Sequence, residues 1–250
     1  MSGHSKWASI KHKKAAVDAK RGKIFTKIIR EITVAAKIGG GDPMSNPRLR
    51  TAIESAKAAN MPADNIDRAV KKGSGELEGV SYEDVFYEGY GPEGVAVYVH
   101  CLTDNKNRTS SEIRNIFSKK NGNMAGAGSV AWLFEKKGLI VVDQTSAKED
   151  ELMDISVNAG ADDLSKAGEK FEILTDPHNF EAVKKAFDNA KIKYELAELQ
   201  MIPKNSVSVN VDQARAVLAL VDAFEDHDDV QNVYTNCDFP QDVLKELQQS

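Results

Sequence analysis

The sequence predicts an α+β multidomain protein: an N-terminal helical domain followed by two ferredoxin-like α+β domains, the last inserted into the middle one. Three observations carry this reading. The first 72 residues place apolar side chains at helical spacing. From Ser81 the pattern switches to short apolar or alternating runs that take turns with helical ones. Residues 139–202 spell β-α-β-β-α-β, the ferredoxin-like order, and their flanks supply β-α-β over 95–134 and again over 206–235. Each flank alone is too small to bury a sheet face, so the two are read as one split domain. The expected domains are 1–80 (basic and helical), 81–135 with 204–250 (split), and 136–203 (inserted).

Each element has a local reason. Ile24, Phe25, Ile28, Ile29 and Ile32 form one helical stripe, and Gly39-Gly40-Gly41-Asp42-Pro43 breaks the run. Asn46-Pro47 opens a second helix with Leu49, Ile53 and Ala56 as its buried face. Pro62 starts a third, carrying Ile66 and Val70, and residues 73–79 (GSGELEG) read as a linker. Residues 95–102 form an apolar central strand. Thr109-Ser110-Ser111-Glu112 matches a capping box for the helix bearing Ile113, Ile116 and Phe117. Strands are expected at 130–134 and 139–142, with a second capping box at Ser146-Ala147-Lys148-Glu149. Residues 170–174 alternate as a strand, Asp176-Pro177 caps a helix with Phe180, Val183 and Phe187 inward, and 194–201 returns as a strand. A strand marked by Val207 and Val209, a helix through Val217, Val221 and Phe224, and a strand at 230–235 close the pattern.

Composition limits function. At 41% hydrophobic and 28% charged, the chain can bury cores and is not a disordered sequence. No apolar run approaches the roughly 18–20 residues that span a bilayer, so no membrane association is expected. The N-terminal segment lacks the apolar region of a secretory signal. Cys101 and Cys237 are the only cysteines and form no CxxC pair, which points to a reducing, cytoplasmic setting without disulfides or structural zinc.

Charge is segregated. The net charge is −5, yet residues 1–30 carry seven Lys and two Arg against the single acid Asp18. Residues 1–72 hold 16 basic and 6 acidic side chains, and residues 73–250 hold 17 and 32. A solvated helix face normally mixes signs and gains i,i+4 pairs, and this segment forgoes them. Phosphate as counter-charge explains the pattern. The expected nucleic-acid contacts are Lys6, Lys11, His12, Lys13, Lys14, Lys20, Arg21, Lys23, Lys27 and Arg30. Arg108, in the loop 103–114 between a strand and a helix start, is a second anion-binding candidate.

Enzyme signatures are weak. GAGSVA (126–131) has the letters of a dinucleotide loop, but it follows a helix and precedes a strand, so it reads as a turn. The five histidines share no metal spacing. His100 reads as a satisfied core histidine, and EDHDD (225–229) as a solvated helix end without calcium-loop order. KKGLIVV (136–142) faintly resembles an RNA-recognition motif but offers Leu and Ile where that motif exposes aromatics, and residues 139–202 contain seven Lys and fourteen acids, which argues against RNA binding on that sheet. No enzyme activity, cofactor, metal or small-molecule substrate is expected, and the chain is read as a monomer.

Four stretches together, GHSKWASIKHKKAAVDAKRGKIFTKIIREI, NPRLRTAIESAKAANMP, YEGYGPEGVAV and TDNKNRTSSEIRNIF, resemble the YebC family over essentially the whole chain. The resemblance implies a helical domain followed by two α+β domains, with no catalytic residues and no cofactor. It implies a non-enzymatic regulator of gene expression, and two modes of action remain open. Some members of that family are DNA-binding transcriptional regulators. Others, including a mitochondrial translational activator, act on ribosomes stalled on stretches such as consecutive prolines, through ribosomal RNA. An adaptor whose acidic domains dock a basic protein is a third reading.

Overall fold

The computed structural model describes residues 21–240 and 242–243. Contacts divide the chain into two compact units. Among the described residues, one comprises 21–129 and 218–233, the other 130–217 and 234–240 with 242–243. No helix among the described residues is long and apolar enough to cross a membrane.

The first unit opens with three helices, α1 (Arg21–Gly39), α2 (Pro47–Ala58) and α3 (Ala63–Ser74). Ile32, Ala35, Leu49, Ala56, Ile66 and Ala69 are the buried centre of their shared core, with Phe25, Ile28 and Ile29 packed against it. Asn46 joins α1 to α2. Its carboxamide oxygen accepts from Leu49 N at 3.1 Å, and its Nδ2 donates to Ala35 O and Gly40 O, both at 2.8 Å. Pro47 follows in the first helical turn, where its missing N–H costs nothing. At Gly73, a Cβ would strike the Thr33 carbonyl and Ala36, so glycine lets α3 lie directly on α1.

The same unit contains a four-stranded sheet ordered β3-β1-β2-β9, from β1 (Glu83–Tyr90), β2 (Ala96–Thr103), β3 (Asn123–Ala125) and β9 (Val230–Thr235). β1 and β2 are antiparallel, pairing Phe86 with His100 and Gly89 with Val97. Val97, Val99 and Cys101 are fully buried. The helix α4 (Lys106–Lys119) brings Phe117 against Gly89, where any Cβ would collide with the ring. Phe117 meets Phe224 edge-on, with centroids 4.7 Å apart.

The second unit contains β4 (Phe134–Asp143), α5 (Glu149–Ala159), β5 (Ala161–Ala167), β6 (Lys170–Thr175), α6 (Phe180–Asn189) and β7 (Leu196–Pro203). Its sheet order is β5-β6-β4-β7 with antiparallel neighbours, the ferredoxin-like arrangement expected for this segment. Ile140, Val142, Leu152, Phe171, Ile173, Val183 and Phe187 form its core. A short parallel pair, β8 (Val207–Ser208) with β10 (Cys237–Asp238), also lies in this unit. The helix α7 (Val211–Glu225) and strand β9 contain the unit boundaries.

The fold class is the expected α+β, but the first sheet differs in detail. It is built on a hairpin, β1–β2, rather than on two β-α-β halves. The expected strand at 130–134 is a 3-10 turn, Ala131–Leu133, leading into β4, and Val207 pairs with β10. Both expected capping boxes fail. α4 starts at Lys106 with Asn105 as its cap, which leaves Thr109 inside the helix. α5 starts after Lys148 with no side-chain cap. Asp176 accepts from His178 N in a turn, and α6 begins three residues after Pro177, at Phe180. GAGSVA is a turn, with Gly128 at φ +85° and Ser129 N bonded to Gly126 O.

Candidate nucleic-acid interface

Residues 23, 27 and 30 lie at i, i+4 and i+7 of α1, so their cations form one stripe beside the apolar one. Lys23 Nζ contacts Asp226 O at 3.0 Å and Asp226 Oδ1 at 3.1 Å. Lys27 Nζ donates to Glu225 O at 2.9 Å, where the end of α7 offers unsatisfied carbonyls. Arg30 Nη1 reaches Asp229 Oδ1 at 2.5 Å, Asp228 O at 2.7 Å and Leu102 O at 3.3 Å. The Arg30 guanidinium also lies over the Tyr82 ring, 5.3 Å from its centroid.

Asp229 is the centre of this cluster and is 2% exposed. Its Oδ2 accepts from Arg108 Nη2 at 2.8 Å and from Thr109 Oγ1 at 2.6 Å. Burial acts to raise its carboxyl, but the hydrogen bonds from Thr109, Arg108 and Arg30 prevail and bring it down to about 2. Arg108 also bonds Asp104 Oδ1 at 2.8 Å. His227 Nδ1 accepts from Asp229 N at 3.1 Å, which leaves the proton on Nε2 for Glu112 Oε2 at 2.8 Å.

Glu112, His227 and Asp229 bring ligand atoms within 4.8 Å of one another, a spacing that suits a cation. The chemistry does not fit a metal. Both Asp229 oxygens are taken by Arg30, Arg108 and Thr109, and the free lone pair of His227 receives a backbone N–H. The guanidinium groups already supply the positive charge.

Only part of the expected interface falls among the described residues. Lys6, Lys11, His12, Lys13, Lys14 and Lys20 lie outside the described residues, and Arg21 is described only as the first residue of α1. Lys23, Lys27, Arg30 and Arg108, expected to await phosphate, are bonded to acceptors of the protein itself. EDHDD is a solvated helix end only in part, since Asp226 and Asp228 are exposed while its last residue, Asp229, is buried. Arg108 does mark an anion site at a helix start, and the anion is Asp229. Sequence reasoning missed Asp229 because its partners are 199 and 121 positions away. The one available signal was the stripe spacing of 23, 27 and 30, which asks for a single opposing surface.

Other candidates are quiet. His100 Nε2 lies 2.7 Å from Asp84 Oδ1, and Arg48 Nη2 lies 2.9 Å from Asp84 Oδ2. Burial pushes the Cys101 thiol up to about 12, so it keeps its proton at neutral pH and is a poor nucleophile.

Comparisons with known proteins agree with this architecture. Residues 5–76 match the family model described as the TACO1/YebC protein N-terminal domain, and residues 82–237 match that of the TACO1/YebC second and third domain. A probable transcriptional regulatory protein of Desulfatibacillum aliphaticivorans is 57% identical over 98% of this chain and 100% of its own. One from Geobacter sulfurreducens is 57% identical over 99% of this chain and 100% of its own. A crystal structure of a conserved hypothetical protein from Aquifex aeolicus superposes with a TM-score of 0.80 at 47% identity, covering 90% of this chain and 93% of that one.

Proposed function

The chain belongs to the TACO1/YebC family, and on that premise we propose that it is a non-enzymatic, nucleic-acid-binding regulator of gene expression. Its cationic residues 1–21 are the phosphate-binding element. One observation carries this reading. Lys23, Lys27, Arg30 and Arg108 bond acceptors within 225–229, whereas Lys6, Lys11, Lys13, Lys14, Lys20 and Arg21 stand in sequence against Asp18 alone. Such an excess of cations, on a chain of net charge −5, is suited to displacing counterions from a polyanion.

The relatives' name, probable transcriptional regulatory protein, supports duplex DNA as the ligand. A second reading, ribosomal RNA and a role in translation, is favoured by the head being rich in Lys and poor in Arg. Lys meets phosphate as a point charge, while bidentate base readout is the province of Arg. A salt titration on duplex DNA, ribosomal RNA and intact ribosomes tests both. With about five or six phosphate contacts, log K should fall against log salt with a slope of roughly −4 to −5. Replacing Lys13 and Lys14 by Ala should flatten that slope by about one to two. Identical slopes for both proteins on every ligand would refute the phosphate role. A loss confined to ribosomes assigns the protein to translation, and a loss confined to DNA assigns it to transcription.

A further inference from the structure

The cations of α1 differ in how tightly they are held. Lys23 and Asp226 have side-chain exposures of 39% and 84%, so their pair sits in water, where phosphate can replace the carboxylate at little cost. Arg30 and Asp229 have exposures of 13% and 3%. Drawing Arg30 away to a phosphate would leave Oδ1 of a buried carboxylate without its guanidinium, with Arg108 and Thr109 serving only Oδ2, which costs more than an exposed phosphate contact returns. Arg30 is therefore committed to the fold. Through Asp229 it ties α1 to α4, by way of Arg108 and Thr109, and to the turn between α7 and β9. α1 is also the covalent continuation of residues 1–20.

We infer that Asp229 is a positioning residue for nucleic-acid binding: by holding Arg30 it fixes α1, the helix that follows the cationic residues 1–20 in the chain. This rests on the phosphate-binding reading above. It has an unusual sign. Removing a carboxylate should help a polyanion bind through the long-range field, yet removing this one should hinder it.

The test uses the full chain, with duplex DNA and ribosomal RNA as probes, below the melting temperature of the least stable variant. Asp229→Asn should weaken binding roughly 3- to 30-fold. Asp212→Asn, which deletes a carboxylate whose side chain is 94% exposed, should not weaken it. Arg30→Gln should weaken binding as much as Asp229→Asn, and the double variant no more than either. That non-additivity marks Arg30 and Asp229 as one coupled unit, and working with folded protein throughout keeps loss of stability out of the readout. Thr109→Val removes one of the three donors to Asp229 and should give a smaller loss in the same direction, which keeps the inference testable if Asp229→Asn does not fold.

Folded Asp229→Asn binding as tightly as wild type would overturn the inference. So would an Arg30→Gln loss that is just as large in the Asp229→Asn background, because Arg30 would then be a direct phosphate ligand. If Asp229→Asn cannot be tested, wild-type affinity in Thr109→Val overturns it. Wild-type protein that binds neither of these probes nor intact ribosomes refutes the phosphate-binding reading itself, and the inference with it, without recourse to any variant.

Discussion

Two regions of the molecule hold opposite charges in very different ways. Around Asp229, a carboxylate that is 2% exposed receives donors from Arg30, Arg108 and Thr109, and distant parts of the chain converge on it. On the sheet of the second unit, Lys137 lies 2.9 Å from Asp162 and 3.3 Å from Glu135, at comparable distances, but the two acids are 38% and 54% exposed. Distance alone does not separate these sites. Desolvation and the number of converging donors do, because a buried charge stripped of partners has no water to fall back on, whereas a surface charge has.

The largest expected effect breaks the first site. Asp229→Ala leaves Arg30 facing a cavity and should cost about 3–5 kcal/mol of unfolding free energy, measured by urea denaturation. A cost below about 1 kcal/mol would place Asp229 in the class of surface pairs. Acid should act on the same site by a gentler route. The Asp229 carboxyl lies at about 2 in the folded protein against an ordinary 3.8. Its contribution, on the order of 2 kcal/mol, is therefore complete above the ordinary value and is lost as pH falls from there toward the folded one. Melting curves at successive pH values should show this loss in wild type, and Asp229→Asn should flatten it. The smallest effect sharpens the contrast from the other side. Asp162→Asn should change stability by no more than about 0.5–1 kcal/mol and should lose even that in high salt. A larger cost would mean that the second unit hides a network of its own.

The same division runs through what the sequence reveals. Elements set by neighbours in the chain were legible: Asn46-Pro47 opens α2, the stripe from Ile24 to Ile32 forms α1, and 139–202 has the β-α-β-β-α-β order. Features set by remote partners were not. Asp229 is one, since nothing near residue 229 names Arg30 or Arg108. β1 is another, because Phe86 and Tyr87 are adjacent aromatics that point to opposite faces and blur the period of two. Thr109 looked like a cap by its neighbours, but its hydroxyl serves Asp229 and Thr103 instead. In the candidate site, the density of positive charge could be read from the sequence. Which cations are already spent could not.

The position of β9 next to β2 has a consequence in time. About 125 residues separate the two strands in sequence, and translation at roughly 5–20 residues per second needs about 6–25 s to cover them. Through that interval a nascent chain carries Arg30, Arg108 and one edge of β2 without the partners that residues 229–235 will bring. The sheet of the first unit is therefore finished last, after the whole β4–β7 segment has been made. Slow codons or a pause anywhere between residues 104 and 229 would lengthen that wait, and an early stop before residue 229 would leave it permanent.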